Sequence, residues 1–417
     1  MSERDGSSGH RDADVIVVGA GPAGATTAML LAQRGLHVLL LDRHAFPRPK
    51  ACGDCLSAGA TTLLERLGLL GGVLSLPHAR LRGWRLVSPG GTAFAADFPR
   101  CDGVAAGTEG ALAVERLHLD DFLVRRAALA GADLRERTRV LDVVRDDDGR
   151  ITGVVSADGI LRAPLVVGAD GLRSVVARRA GAVRRPARLR KVSFTLHLDK
   201  PVGEPDVGEM HAGDGFCAGV APVRHDGSRF NLTVVALSDR FGRDAARDPH
   251  ALITHLLRRL PALADRIDPE IIAGAELLAS GPFDRPVRSA SPGGAALAGD
   301  AAGYFDPFTG QGVFQALAGA ELLADAVGDA LATGRPDDLR RALRQWKRRH
   351  HRMVRGARRV QHVVEAVVSR PWLADRAFGR LDRSPAMARV LIAVTGDIAP
   401  VRRLLSPRAL SSLVLPA

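Results

Sequence analysis

Aromatic residues are scarce in this chain, at 4% of 417 residues, with one tyrosine and three tryptophans. A surface that stacks nucleic-acid bases on aromatic rings is therefore not expected. There are only four cysteines, Cys52, Cys55, Cys101 and Cys217. The polar stretch 1–12, read as disordered, lacks the apolar core of an export signal. A disulfide framework is accordingly not expected, and the chain reads as cytoplasmic. No run approaches the roughly 20 apolar residues of a spanning helix. At 417 residues the chain is long enough for two domains sharing an interface.

Charge is plentiful, with a formal net value of +12. Much of it lies in 335–359, which contains Lys347, Arg348, Arg349, His350 and His351. Leu339, Leu343 and Trp346 interrupt the charges at helical spacing. A solvated amphipathic helix is the plain reading. Peripheral contact of these basic C-terminal helices with an anionic membrane is the alternative, and nucleic acid is not expected.

Residues 14–18, Asp-Val-Ile-Val-Val, read as a buried parallel strand. A helix over 23–34 follows, ended by Gly35, and then a strand over 37–41. Further on come a helix over 57–67 capped by Ser57, a hairpin over 84–98 around Ser-Pro-Gly-Gly, and a helix over 117–130. Strands at 140–145, 151–156 and 165–167 form a β-meander. Strands at 191–198, 215–223 and 229–237 build another sheet. A short strand at 295–297 leads into a helix over 312–331. The expected fold is α/β: a Rossmann-like nucleotide domain from 13–80, 101–180 and 278–335, an inserted β-rich substrate domain from 81–100 and 181–277, and a helical C-terminal extension over 336–417.

Gly19-Ala20-Gly21-Pro22-Ala23-Gly24 joins the first strand to the first helix. Gly19 permits the tight turn, Gly21 lets a pyrophosphate approach the backbone, and Gly24 lets the helix pack on the strand. With Pro22 and Ala23 opening the helix, its N–H groups and positive potential face the phosphates. Asp42, ending the next strand, suits ribose hydroxyls and repels a 2′-phosphate. Arg43 beside it joins the cofactor-binding set. This motif specifies a dinucleotide without separating FAD from NAD.

Two later segments separate them. Gly168-Ala169-Asp170-Gly171 and Gly299-Asp300-Ala301-Ala302-Gly303, the latter followed by Pro307, Thr309, Gly310, Gln311 and Gly312, resemble the flavoprotein monooxygenases of the p-hydroxybenzoate hydroxylase type. Phe46-Pro-Arg-Pro-Lys50-Ala-Cys52-Gly53-Asp54 is similar to the geranylgeranyl reductase branch of the same superfamily. The resemblance runs from about residue 13 to 335. It implies FAD as cofactor and NADPH or NADH as transient reductant. It places Asp300 on the ribityl or ribose part of FAD, and the backbone N–H groups of Gly310, Gln311 and Gly312 at the flavin pyrimidine edge. A helix N-terminus there would stabilise the negative charge of reduced flavin. It also places Pro307 near the isoalloxazine face, Arg116 on the cofactor, Asp170 near the pyrophosphate and the nicotinamide, and Val140 on the adenine through its backbone. The plainer readings are a surface salt bridge for Arg116 and a turn residue for Asp170.

Cys52 and Cys55 form a CxxC. A redox pair is one reading, but flavin disulfide reductases space their cysteines more widely and carry a second glycine motif that is missing here. A zinc site would need two further ligands, so no metal is expected. In the reductase branch a cysteine of this loop lies near the flavin, which Cys52 matches; Cys55 reads as a small buried apolar residue. The prenyl reductases carry a Trp-containing segment over the substrate. Here it reads Gly215-Phe216-Cys217-Ala218-Gly219-Val220-Ala221-Pro222, without the Trp, leaving Phe216 and Pro222 as substrate contacts. The paired tryptophans of flavin halogenases are absent. His197, His211 and Arg224 are not nominated as general bases, because oxygen insertion at a flavin asks mainly for a dry, well-shaped site.

The leading expectation is a single-component monooxygenase of secondary metabolism. It would hydroxylate or epoxidise an apolar aromatic or polyketide-like small molecule with NAD(P)H and O2. The alternatives are a geranylgeranyl reductase-type enzyme saturating C=C bonds of an apolar chain, and a flavin-retaining binding protein without turnover. Oligomeric state is not set by the sequence.

Overall fold

The computed structural model describes residues 11–99, 110–184 and 190–404. Cys101, residues 1–10 and residues 405–417 lie outside the described residues. Asp12 is tied in: its N–H donates to the Arg162 carbonyl, and its carboxylate accepts from the Arg162 N–H.

Val15–Val18, Val38–Leu41, Asp133–Arg135, Leu165–Gly168 and Ala296–Leu297 form a five-stranded parallel sheet, with Val15–Val18 at its centre. Every residue of Val15–Val18 and Val38–Leu41 is buried, as strands covered on both faces require. Each such Val or Leu contributes about 1.5–3 kcal/mol by leaving water. Pro22–Ala32 packs on one face, and its Gly24 touches the loop below so closely that a Cβ would stand 1.8 Å from the Gly19 carbonyl.

The strand at Leu165–Gly168 corrects the sequence reading. It pairs with Val15–Val18, and the meander is completed by Gly159–Arg162 beside Ile151–Ser156 and Val140–Arg145. A short apolar run carries no signal that tells a sheet-centre strand from a meander strand, since both are buried.

The second sheet has seven strands, in the order Leu278–Ser280, Lys191–Leu198, Phe230–Leu237, Phe216–Pro222, Val207–Gly213, Gly83–Val87 and Ala93–Asp97. It is drawn from separate stretches of chain, and Leu278–Ser280 belongs to it. Helices Ser238–Arg247, Pro249–Leu257 and Pro269–Gly274 lie near one face, where an apolar cluster including Phe194, Phe216, Phe230 and Leu256 is buried. The opposite face looks toward the nucleotide domain. A small three-stranded sheet of Cys55–Leu56, Ala79–Leu81 and Ala111–Ala113 bridges the two.

Beyond Gly312–Ala332 the chain is helical, in Pro336–Val368, Pro371–Asp382 and Pro385–Thr395. Proline opens each of these three at N1, where its fixed φ and missing N–H cost nothing. Phe378, Leu381 and Ala388 from the last two bury against Phe94 and Ala212 of the seven-stranded sheet. The extension thus closes over that sheet. No described helix is long and apolar enough to cross a membrane.

Candidate active site

Two cavities meet between the domains. The larger, about 710 Å³, runs from Gly19 and Asp42 past Arg116, Asp170 and Asp300 to Pro307 and Gly312. The smaller, about 210 Å³, lies between the seven-stranded sheet and the C-terminal helices. Gly53, Cys55, Thr233, Pro307 and Gly310 line both.

The larger cleft gathers every cofactor residue read from the sequence except Gly24 and Gln311. Gly24 serves the packing just described. Gly19 has φ +96°, and a Cβ there would stand 2.5 Å from the Ala169 carbonyl, so glycine is required. At Gly21, by contrast, a Cβ would meet nothing nearer than the guanidinium groups of Arg116 and Arg48, at 3.8 and 4.0 Å. At Gly310 and Gly312 it would meet nothing within 4 Å. The backbone is bare where a phosphate and a ring must approach it. Asp42 accepts hydrogen bonds from the Ala20 N–H at 2.8 Å and the His44 N–H at 2.9 Å, which holds the glycine loop closed beneath the ribose position.

Arg116 is not in the surface salt bridge of its plainer reading. It forms a bidentate, nearly buried pair with Asp120, at 2.6 and 2.8 Å, and it also lines the cleft beside Gly21. Burial works against its charge, but the Asp120 carboxylate outweighs that and raises its pKa. Asp170 is the turn residue of its plainer reading and also lines the cleft. Its carboxylate caps the Val175–Arg179 helix by accepting from the Ser174 hydroxyl and the Val175 N–H, and it faces the cleft. The Gly310 N–H donates to the Pro307 carbonyl at 2.9 Å. That takes it out of its expected role at the flavin edge and leaves Gly312, which opens the Gly312–Ala332 helix and lines the cleft.

Lys50 and Arg48 were not singled out as site residues, yet both line the cleft. Burial and the nearby Arg116 push the Lys50 ammonium down, while Asp300 holds it up. Burial raises Asp300, against Lys50 and Arg116. The proline- and lysine-containing loop after Asp42 was the available signal. Arg43, Arg139, Arg173 and Arg178 add positive charge along the same cleft. A glycine cradle, bare backbone and converging cations fit a dinucleotide pyrophosphate.

The Cys52 loop is held across both domains. The Cys52 carbonyl accepts from Asn231 Nδ2 at 2.8 Å. Asp54, in left-handed backbone with φ 57°, accepts from Asn231 Nδ2 at 2.7 Å and the Arg116 N–H at 3.1 Å, and pairs with His197 Nε2 at 2.6 Å. His197 therefore braces this loop. The Cys52 and Cys55 thiols are free. Burial raises both pKa values, so neither is a ready thiolate. Cys55 donates weakly to the Gly53 carbonyl.

The smaller chamber has an apolar lining that includes Trp84, Met210, Cys217, Val364, Leu381 and Leu391. No Asp, Glu, His, Lys or Arg is among its described lining residues. Phe216 and Pro222 are not there, which corrects their assignment as substrate contacts. Phe216 points to the opposite face of the sheet and packs edge-on against Phe241. Side chains alternate along a strand, so Cys217, Gly219 and Ala221 face the chamber instead. His211 and Arg224 are structural: His211 pairs with Glu209, and Arg224 with Glu115.

A parallel sheet with a glycine phosphate loop, opposed by a sheet that walls an apolar chamber, defines a flavoprotein oxidoreductase. The family model described as "FAD binding domain" matches residues 12–357, and the chain belongs to that family of FAD-dependent oxidoreductases. It is 31% identical over 330 residues to menaquinone reductase of Mycolicibacterium smegmatis, covering 75% of this chain and 76% of that protein. It is 28% identical over 329 residues to digeranylgeranylglycerophospholipid reductase of Methanosarcina acetivorans, covering 77% and 76%. Conditioned medium factor receptor 1 of Dictyostelium discoideum is 28% identical, with 75% of this chain covering 63% of that protein. Among solved structures, the myxobacterial chondrochloren halogenase CndH superposes with a TM-score of 0.74 at 25% identity, covering 96% of this chain and 92% of that one. PqsL, a probable FAD-dependent monooxygenase from Pseudomonas aeruginosa, superposes at 0.64 and 23% identity, covering 92% and 99%.

Proposed function

We propose that this FAD-dependent oxidoreductase reduces C=C bonds of an apolar, prenyl-like chain, with NADPH or NADH as the transient electron source. The observation that carries the apolar substrate is a chamber with no Asp, Glu, His, Lys or Arg among its described lining residues, joining the cofactor cleft at Gly53, Cys55, Thr233, Pro307 and Gly310. The Lys50-Ala-Cys52-Gly53 loop, and relatives named for the reduction of a menaquinone and a digeranylgeranyl lipid, favour reduction over oxygen insertion.

Bound FAD supplies two-electron transfer. The chain's own part is to hold and to exclude. Gly19 and Gly21 admit the pyrophosphate, and Arg48, Lys50 and Arg116 offset its charge. The bare Gly312 backbone at the start of its helix would meet the negative edge of the ring. Asn231 and Asp54 fix the Cys52 loop against it. The chamber wall keeps water from the reacting carbon atoms.

Oxygen insertion into a small apolar molecule is the second reading. It is favoured by the dryness of the chamber and by the absence of an acidic side chain among its described lining residues. One experiment separates the two. FAD-loaded protein is reduced with NADPH or NADH, with and without air, beside a prenyl quinone in detergent and a panel of apolar aromatics. Gain of two hydrogens without air, retained on the prenyl chain after the quinol has been reoxidised in air, supports reduction. Gain of one oxygen atom, only in air, replaces it with the second reading. Flavin reduced by neither nicotinamide, with or without ligand, would sink both.

A further inference from the structure

A third polar centre lies behind the flavin loop, where three distant parts of the chain meet. Asp397 follows the Pro385–Thr395 helix in left-handed backbone, with φ 61°. One carboxylate oxygen accepts from the Ser57 hydroxyl at 2.8 Å, and the other from Gln311 Nε2 at 2.6 Å. Ser57 caps the Ala58–Arg66 helix and lines the apolar chamber. Gln311, almost fully buried, is the residue just before the Gly312–Ala332 helix. The backbones touch as well: the Gly59 N–H donates to the Gly396 carbonyl at 2.8 Å, and a Cβ on Gly59 would stand 2.6 Å from that of Asp397.

We infer that Asp397 is a positioning residue for the flavin loop, a latch through which the C-terminal helices set the Gln311–Gly312 turn and the Ser57 cap together. This rests on the proposed role of that turn at the flavin edge. The Gln311 carbonyl oxygen is buried without a hydrogen-bond partner among the described residues. All of the side chain's hold therefore comes through its amide N–H, to Asp397 and, at 3.5 Å, to the Val394 carbonyl.

The latch has a sign with pH. Burial lifts the Asp397 carboxyl to about 7, the hydrogen bonds from Ser57 and Gln311 pull the other way, and no charged group from the helices or the loop around it contributes. A carboxyl raised in the fold stabilises the closed state below its ordinary pKa, near 4. That advantage is lost as pH rises toward 7 and is level above it.

Three proteins test this: the wild type, Asp397→Asn and Asp397→Ala, each as the full chain. Asn keeps an acceptor for Gln311 and a partner for Ser57, but does not titrate. FAD affinity is measured by titrating the apoprotein, and stability by denaturant midpoints of the FAD-loaded protein from pH 5 to 8. Asp397→Ala is expected to weaken FAD binding about tenfold, as for loss of a hydrogen bond to a charged group, with Asp397→Asn close to wild type. The stability of Asp397→Asn relative to wild type should rise between pH 5 and 7 and then level. Wild-type FAD affinity in Asp397→Ala, or a stability difference that ignores pH, overturns the inference. If Asp397→Ala fails to fold, the pH comparison with Asp397→Asn decides alone. A wild type that binds no FAD would refute the flavin reading of the loop and with it the positioning role, while the pH comparison, then made on the apoprotein, would still show whether Asp397 holds the terminal helices.

Discussion

At the scale of single residues, the glycines of the first motif divide by what surrounds them. Gly21 is bare so that a ligand can approach, whereas Gly24 is bare because the protein already fills the space. Gly24→Ala should therefore cost stability outright, about 3 kcal/mol or more by overpacking. Gly21→Ala should leave the melting temperature of the apoprotein nearly unchanged and weaken FAD binding. Equal losses of stability for both would contradict this division. Lys191 makes a second residue-scale case. Its ammonium sits between Asp306 at 2.9 Å and Glu365 at 2.5 Å, pinning the segment just before Pro307 to the Pro336–Val368 helix. Burial already raises Glu365. Lys191→Met would leave two buried carboxylates without their cation, and a loss of about 3–5 kcal/mol is expected in denaturant unfolding.

At the scale of elements, the strands of the parallel sheet were legible because their composition and their glycine punctuation agree. The face of the Phe216–Pro222 strand was not. Most of its residues are buried, so the alternation of polar and apolar that normally reveals a face is missing, and a one-residue slip exchanges Phe216 for Cys217. The part played by the C-terminal helices was hidden for a different reason. A helix shows its apolar stripe in sequence but not what the stripe covers, and Val364, Leu381 and Leu391 meet the chamber only in three dimensions. The long Pro336–Val368 helix also carries a pH-dependent term opposite in direction to that of Asp397. Burial, with Arg358 and His351 adding to it, lowers His350 to about 4. A histidine kept neutral in the fold loses stability as pH falls from near 6.5 toward 4, on the order of 3 kcal/mol in all. His350→Gln should flatten that part of the acid limb; an unchanged limb would show that His350 is hydrated.

At the scale of the whole molecule, the charge is unevenly placed. Between Leu339 and Val364 the long helix has no acidic residue, and Arg344, Lys347, Arg348, Arg349, Arg352, Arg355 and Arg359 are exposed along it. Trp372, 66% exposed, follows on the next helix. For an enzyme whose proposed substrate is a lipid-like chain, we propose that this face rests on an anionic membrane. Sedimentation with vesicles containing an anionic lipid should retain the protein at low salt and release it as salt rises. Vesicles of neutral lipid should not hold it. Indifference to lipid charge would return the helix to the status of a solvated face.

The family match ends at residue 357, yet much of the chamber wall lies after it: Val363, Val364, Val367, Phe378, Leu381, Leu391 and Leu404. The apolar chamber thus has one wall inside the family-matched stretch, with Trp84, Met210 and Cys217, and another in the terminal helices beyond it. Grafting the terminal helices of a relative should therefore change the second wall alone, while the glycine cradle and the sheet wall stay as they are. The limit on such a graft is Asp397, because a donor segment without a carboxylate at that point would bring a new chamber wall and leave Gln311 unheld.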